Sequence, residues 1–380
     1  MSDDQRLLKV IRTIAWILAL ALSMSADAGW FGFGGDSGKK APTDVTVAEQ
    51  SGRDFRDLSI FPNSEELLLV EVNEKMLPEH SRVLRYNLKQ NTLQYYALPK
   101  GYAYTDAKIS PSGHYIVMKR VKEININDED KIRETLSDPE IALMKADGTD
   151  FRVLKLNPGY KHAPIFSNDD SKIAYWRGAL RPPHSKSLAS FFDIWEVNLK
   201  TGIDTLFAGH FEFFEGAQMQ YLPGDNEILF HAYGPRAHAQ SMTEYDKQYN
   251  NSHTYKANRG LTSLPEPILT EIYGAAFLSI DRADNFYFIG AGNDATSLLR
   301  KSSGGEIKRW IILRIYFASL FATAVSPNGA YVTFIYPLPD TRPSEGKHGL
   351  GMLDTQTSQW GTLSIPPLES STPIVVKLAN

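Results

Sequence analysis

The sequence predicts an all-β chain folded as a six-bladed β-propeller of four-stranded antiparallel blades. Three observations predict it. First, a tight turn of the type Ser-Pro-x-Gly recurs between apolar strands. Its clearest copies are Ile109-SPSG-HYIVM, Ala324-Val325-SPNG-AYVTF and Ile165-Phe166-SNDD-SKIAY. Weaker copies are Ile60-FPNS-EELLLV, Tyr221-LPGD-NEILF and Ile280-DRAD-NFYFI. Second, the second position of these turns falls at 62, 111, 168, 223, 282 and 327, a spacing of 45 to 59 residues. Third, another hairpin pattern lies between successive turns, at 83–98, 141–156, 193–208, 254–269, 297–312 and 349–364. Each unit therefore supplies four strands, A to D, with strand A of successive units expected to begin near Phe55, Tyr104, His162, Ala217, Ala275 and Leu320. Units that bury their faces only against neighbours build a ring.

The turn chemistry is local. Proline presets φ at the second turn position, and Asn, Asp or Gly accepts the tight reversal that follows. The strands after the turns alternate or run fully apolar, as sheet buried on one or both faces does. The repeats occupy about 53–365. Val45–Ala48 and Ile374–Leu378 also read as strands, and one or both are expected to close the ring beside the last blade.

The 380 residues are 42% hydrophobic and 22% charged, an ordinary globular balance. A net charge of −4 gives no basic field for nucleic acid. The absence of cysteine excludes disulfides, thiolate metal sites and a cysteine nucleophile.

Residues 1–28 read as a secretory signal peptide. Arg6, Lys9 and Arg12 precede the apolar run Ile14–Leu22, and Ala26-Asp27-Ala28 offers a cleavage site after Ala28. The run is shorter than the roughly 20 residues of a membrane helix. The expected product is periplasmic or secreted, without a stable membrane span after cleavage. Residues 29–42 form a flexible Gly-rich leader, and 43–380 are assigned to the propeller. The GDSGKK stretch is not a phosphate loop: Phe33 replaces the first glycine, and Lys40 stands where Ser or Thr belongs.

In a meander of strands A to D, the A–B and C–D turns lie on one face and the B–C loops on the other. The long insertions, about 121–139, 177–191, 233–253 and 337–348, are all B–C loops. Eight of the nine histidines are assigned to that face, and only His114 to the opposite one. Loops on a rigid scaffold carry function, so this long-loop face is the expected working surface. Its candidates are Arg177, Arg181 and His184 for a carboxylate or acidic partner, and His231, His238 and Tyr245 for a sugar or peptide surface. The starts of the A strands place Asp57, Asp106, His162 and Gln218 toward the central channel, where a carboxylate–His pair would suit acid–base chemistry. Asn125, Asn127, Asp128, Glu129 and Asp130 lack the glycine and spacing of a calcium loop.

The S-P-[DNS]-G turns, with strands such as DIWEVN and IALMKADG, resemble the WD40-like repeat of TolB-type propellers. The resemblance covers most of the chain after residue 28. It implies a periplasmic protein-interaction module. Relatives of this kind that are peptidases carry an added hydrolase domain, and others are lyases; this chain shows no G-x-S-x-G motif. The fold transfers, and no catalytic residue does. The expectation is an exported module that binds a protein or a cell-envelope component, with no cofactor required and no metal assigned. Two alternatives stand beside it. One is a polysaccharide lyase or hydrolase with a His-rich, metal-dependent site at the channel mouth. The other is a lectin-like propeller that binds a glycan.

Overall fold

The structure is a computed structural model that describes residues 54–72, 81–122, 137–181, 189–235, 252–265, 267–268, 275–291, 296–313, 322–337 and 348–379. Blade one contains β1 (Asp54–Ile60), β2 (Glu66–Val72), β3 (Arg82–Asn87) and β4 (Thr92–Ala97). Blade two contains β5 (Tyr102–Ile109), β6 (Tyr115–Lys122), β7 (Glu140–Lys145) and β8 (Arg152–Val153). Blade three is β9 (Tyr160–Phe166), β10 (Lys172–Leu180), β11 (Ala189–Asn198) and the first part of β12 (Asp204–Tyr221). The rest of β12 joins β13 (Glu227–Pro235), β14 (Ser252–Asn258) and β15 (Pro267–Ile268) as blade four. Blade five is β16 (Ala275–Ile280), β17 (Phe286–Ala291), β18 (Thr296–Lys301) and β19 (Ile307–Leu313). Blade six is β20 (Ala322–Val325), β21 (Tyr331–Pro337), β22 (His348–Asp354) and β23 (Trp360–Thr362).

Alternation explains why the second strand of a blade is apolar on both faces. In β2, Leu67 and Leu69 pack toward blade six, while Leu68 and Val70 pack toward blade two. In β10, Ile173 and Tyr175 face blade two, and Ala174 and Trp176 face blade four. Each blade is thus a two-sided wedge, and a buried core cluster fills each of the six interfaces, including six against one. The interface of blades three and four is aromatic: the Trp176, Phe213, Phe230 and Tyr255 rings meet at centroid distances of 5.0–6.3 Å. A Cβ on Gly216 would collide with the Trp176 ring, so glycine is what admits that indole.

Two expectations are corrected. Blade four has no separate inner strand starting at Ala217. The backbone of β12 runs unbroken from the outer edge of blade three to the inner edge of blade four, fusing both into one seven-stranded sheet. The 204–221 stretch carries no Pro or Asn to enforce a turn. The C-terminal segment Ile374–Leu378 does not lie beside the last blade. Strand β24 (Thr372–Val375) pairs in parallel with β4, as a fifth strand on the outer edge of blade one. The tail continues onto blade two, where the Lys377 N–H donates to the Gly148 carbonyl and the Ala379 N–H to the Phe151 carbonyl, both at 2.9 Å. Ile374 and Val376 pack on the blade one–two core, which rewards that route with apolar burial. Val45–Ala48, the signal segment and the leader lie outside the described residues.

Candidate functional site

The inner strands carry bulges, and a bulge leaves a backbone N–H without a ladder partner. In β5 the register with β6 slips between Thr105 and Lys108, and Asp106 takes a left-handed φ of 54°. In β9 the slip falls around Ala163, with a φ of 49°. Each freed N–H is taken by a carboxylate of the preceding blade. The Asp106 N–H donates to Asp57 Oδ2 at 2.8 Å, and the Ala163 N–H donates to Asp106 Oδ2 at 3.1 Å. The two aspartates that the sequence assigns to the channel therefore link blades one, two and three in series.

Two lysines complete this cluster. Lys119, on β6 opposite Thr105, places Nζ 3.0 Å from Asp106 Oδ2. Lys108 Nζ donates to the Leu58 carbonyl at 3.2 Å. Burial pushes the Asp57 carboxyl up to about 6, and the neighbouring Asp106 charge adds to the shift. Burial acts on Asp106 in the same direction, but the Lys119 ammonium outweighs it, with help from His162 and the Ala163 N–H, and holds that carboxyl below its usual range. Lys119 is held above its usual range because Asp106 outweighs the cost of its burial. Burial lowers Lys108.

His162 joins the cluster from β9. Its ring lies against Tyr160 and Phe192, at centroid distances of 5.7 and 5.1 Å. Among the described residues its buried Nε2 finds no hydrogen-bond partner. Burial pushes its pKa down to about 3 despite the Asp106 charge, so the imidazole is neutral at physiological pH. The structure thus gathers Asp57, Asp106 and His162. Gln218 stands at the β12 bulge between Gly216 and Met219 and makes none of these contacts. Sequence reasoning missed Lys108 and Lys119. A lysine directly after the apolar run YIVM of its strand was the signal available for the second.

The remaining candidates separate. His231 is not a loop residue: it lies within β13 opposite Thr254, is 3% exposed, and is driven to about 4 by burial with a smaller contribution from His253. His348 opens β22 and is also buried, so the grouping of histidines in the loops does not hold for these two. A buried histidine inside a strand is a core residue, not a surface for a sugar. Arg177 lies on β10, its guanidinium 3.3 Å from the centroid of the Trp195 ring. Arg181 follows β10 and donates to Ser190 Oγ at 3.4 Å. His184, His238 and Tyr245 lie outside the described residues. Among the described residues no three His, Asp or Glu side chains are grouped to hold a metal ion, and no helix is long and apolar enough to cross a membrane.

The opposite face is made of the short turns, and these are tied to one another. The Asn168 N–H and amide both donate to Asp225 Oδ1, at 2.9 and 2.8 Å, joining the turns of blades three and four. Ser112 bonds Asp170, joining blades two and three. The Arg282 N–H donates to the Pro327 carbonyl at 3.0 Å, joining blades five and six, and Tyr331 donates to the Ser64 carbonyl at 2.7 Å, joining six and one.

This architecture is that of a TolB-like propeller. TolB from Acinetobacter baumannii superposes with a TM-score of 0.56 at 12% identity, over 80% of this chain and 64% of that one. The chain thus spans less than two thirds of that TolB. The propeller domain of the trilobed protease from Pyrococcus furiosus, described as having an open velcro topology, gives 0.45 at 13% identity, over 83% and 97% of the two chains. A prolyl endopeptidase gives 0.45 at 9%, over 84% and 44%. At these identities the likeness is one of fold. No protein-family model and no curated protein matches the sequence.

Proposed function

We propose that the chain is an exported propeller that binds a partner protein or cell-envelope component through its long-loop face. One observation carries the reading: the asymmetry between the two faces. The turns of the opposite face are short and bonded to one another from blade to blade. The long B–C segments all leave strand ends on the other face, and loops of variable length on a rigid frame are where binding specificity resides. The inner-ring cluster fits a structural role within this reading. Asp57 and Asp106 each give an oxygen to the backbone of the next blade, and Lys119 compensates one of them. A general acid–base pair needs its carboxyls directed at substrate instead. The likeness to TolB favours a protein partner, and the segment 1–28 would deliver the chain across the inner membrane.

Site-specific photocrosslinking tests the reading. A photoreactive residue at the exposed Ala179 should crosslink a discrete partner in cells that export the protein, and one at Gly202 on the turn face should not. Trimming 236–251 to a short turn should weaken capture without a large fall in melting temperature, because loop-closure entropy varies slowly with length. Crosslinks from Gly202 alone would place the partner on the turn face and refute the reading.

A further inference from the structure

The outer edge of blade one receives a strand that no blade repeat supplies. Four positions of β24 pair in parallel with β4, from Thr372 against Gln94 to Val375 against Ala97. The segment then bonds the β7–β8 turn of blade two. The Lys377 N–H donates to the Gly148 carbonyl, the Lys377 carbonyl accepts the Phe151 N–H, and the Ala379 N–H donates to the Phe151 carbonyl, each at 2.9 Å. Gly148 is approached so closely that a Cβ there would stand 2.7 Å from the Val375 carbonyl oxygen and 2.9 Å from Ile374 Cγ2. The β4 edge and this turn together form a slot for an extended backbone.

The segment that fills the slot is held lightly. No residue from 363 to 379 is buried, whereas β4 beneath it buries Leu93 and Tyr96. Val375 and Leu378 are 63% and 68% exposed, so two apolar side chains are left in water. Pro373 stands within the paired stretch and brings no N–H to a ladder. The hold comes from backbone hydrogen bonds and from Ile374 and Val376 against the core shared by blades one and two. A segment with so few buried contacts opens locally at less cost than the fold as a whole. Once it lifts, β4 presents an unpaired edge of six residues beside an apolar floor, and such an edge accepts an added strand.

The same features choose the occupant. A second copy of the chain would bring the same strand with the same defects, and would gain nothing over the one already tethered beside the slot. A foreign strand with an N–H at the proline position, and polar side chains where Val375 and Leu378 meet water, improves on both.

We propose that the β4 edge is a strand-addition site for an extended segment of a partner protein with β-branched apolar residues at alternate positions, and that the C-terminal strand covers this edge until such a segment displaces it. The site lies on the outer edge of blade one, away from the long-loop face, and does not rest on the reading above.

The probe is a fluorescein-labelled nine-residue peptide with the sequence of 371–379, altered by Pro373→Thr, Val375→Thr and Leu378→Thr, titrated into the full chain by fluorescence anisotropy. A control peptide carries Asp at the positions of Ile374 and Val376. The probe should bind and the control should not. Gln94→Cys with Thr372→Cys places one thiol pair at facing positions of a chain that has no other cysteine, so oxidation locks the strand down. The oxidised monomer should bind the probe at least tenfold more weakly, and reduction should restore the affinity. Val376→Asp loosens the strand and should tighten probe binding about tenfold, because the apparent Kd is the intrinsic one divided by the fraction of open chains. No binding at millimolar probe, equal binding of the control, or wild-type affinity in the oxidised monomer would overturn the proposal. Oxidation to a disulfide-linked dimer would show a second copy's strand to be the occupant, and would also overturn it. Where the disulfide does not close, unchanged or weaker probe binding by the Val376→Asp chain overturns it instead. The photocrosslinking experiment reads the other surface, so either proposal can fail without the other.

Discussion

The two halves of the inner ring are held together by different chemistry. From blade one to blade three, the links are charged: Asp57 to the Asp106 N–H, and Asp106 to the Ala163 N–H, with Lys119 alongside. From blade four to blade five, the link is a neutral amide. Gln220 Oε1 accepts the Ile280 N–H at 2.9 Å, and its Nε2 donates to the Ile280 carbonyl at 3.2 Å. Between blades three and four, the backbone of β12 makes the connection itself. Both kinds of side chain satisfy inner-strand backbone groups, but only the first kind titrates. The charged links should therefore answer to pH and to loss of a partner, and the Gln220 link should not.

The largest effect is expected at Asp106→Asn. It keeps a side-chain oxygen near the Ala163 N–H but strands the Lys119 ammonium without its counter-charge. Breaking a buried pair in this way costs about 3–5 kcal/mol, readable as a shift in the urea midpoint. A loss below about 1 kcal/mol would mean that water already compensates Lys119.

His162 gives the next largest effect, in acid. Its folded pKa of about 3 lies below the usual 6.5, so its contribution to stability is complete above pH 6.5 and is lost as the pH falls toward 3. His162→Gln should flatten the acid limb of the stability–pH curve by roughly 2–4 kcal/mol. His231, at about 4, works in the same sense from blade four, so the double variant should be flatter still. An unchanged acid limb in both would show that the rings are solvated.

Asp57 acts in the opposite direction and more weakly. Its folded pKa of about 6 lies above the usual 3.8, so the native state holds the proton more tightly than the unfolded chain. The stabilisation is complete below pH 3.8 and is lost as the pH rises through 6. Asp57→Asn keeps an acceptor for the Asp106 N–H and removes the titration. At pH 8 it should be more stable than the wild type by about 1–3 kcal/mol, as measured by thermal melts across pH. Destabilisation at pH 8 would mean that the ionised carboxylate is needed by Lys108.

The smallest effect is expected in the neutral half. Gln220→Ala leaves the Ile280 backbone groups without their partner, at a cost of about 1–2 kcal/mol. The loss should be the same at pH 5 and pH 8. A pH-dependent loss would break the contrast between the halves.

Much of the architecture could be read from the chain because its signals are local. The Ser-Pro-x-Gly turns set their own geometry, and the two-sided apolar strands between them need a neighbour on each face. The inner strands predicted to start near Phe55, Tyr104 and His162 begin at Asp54, Tyr102 and Tyr160, and that at Ala275 begins there. Asp57, Asp106 and His162 were legible as inner-ring residues from their places near the starts of the A strands. Lys119 was not, because it comes from a second strand whose side-chain direction depends on register. His231 and His348 were misread as loop residues because a histidine beside a turn motif gives no sign of whether its strand continues past it.

By itself, then, the sequence determined six repeats, their turns and the polarity of their faces, since backbone conformation and alternation act over a few residues. The tertiary structure decided how the ring is joined. That β12 crosses two blades unbroken follows from its pairing with β11 on one side and β13 on the other; that the C-terminal strand lies parallel on blade one and ends on blade two, and that a carboxylate of one blade caps a bulge in the next, depend on contacts between residues about 50 or more positions apart. Such contacts form only where burial and hydrogen bonding across an interface repay the entropy of bringing distant segments together.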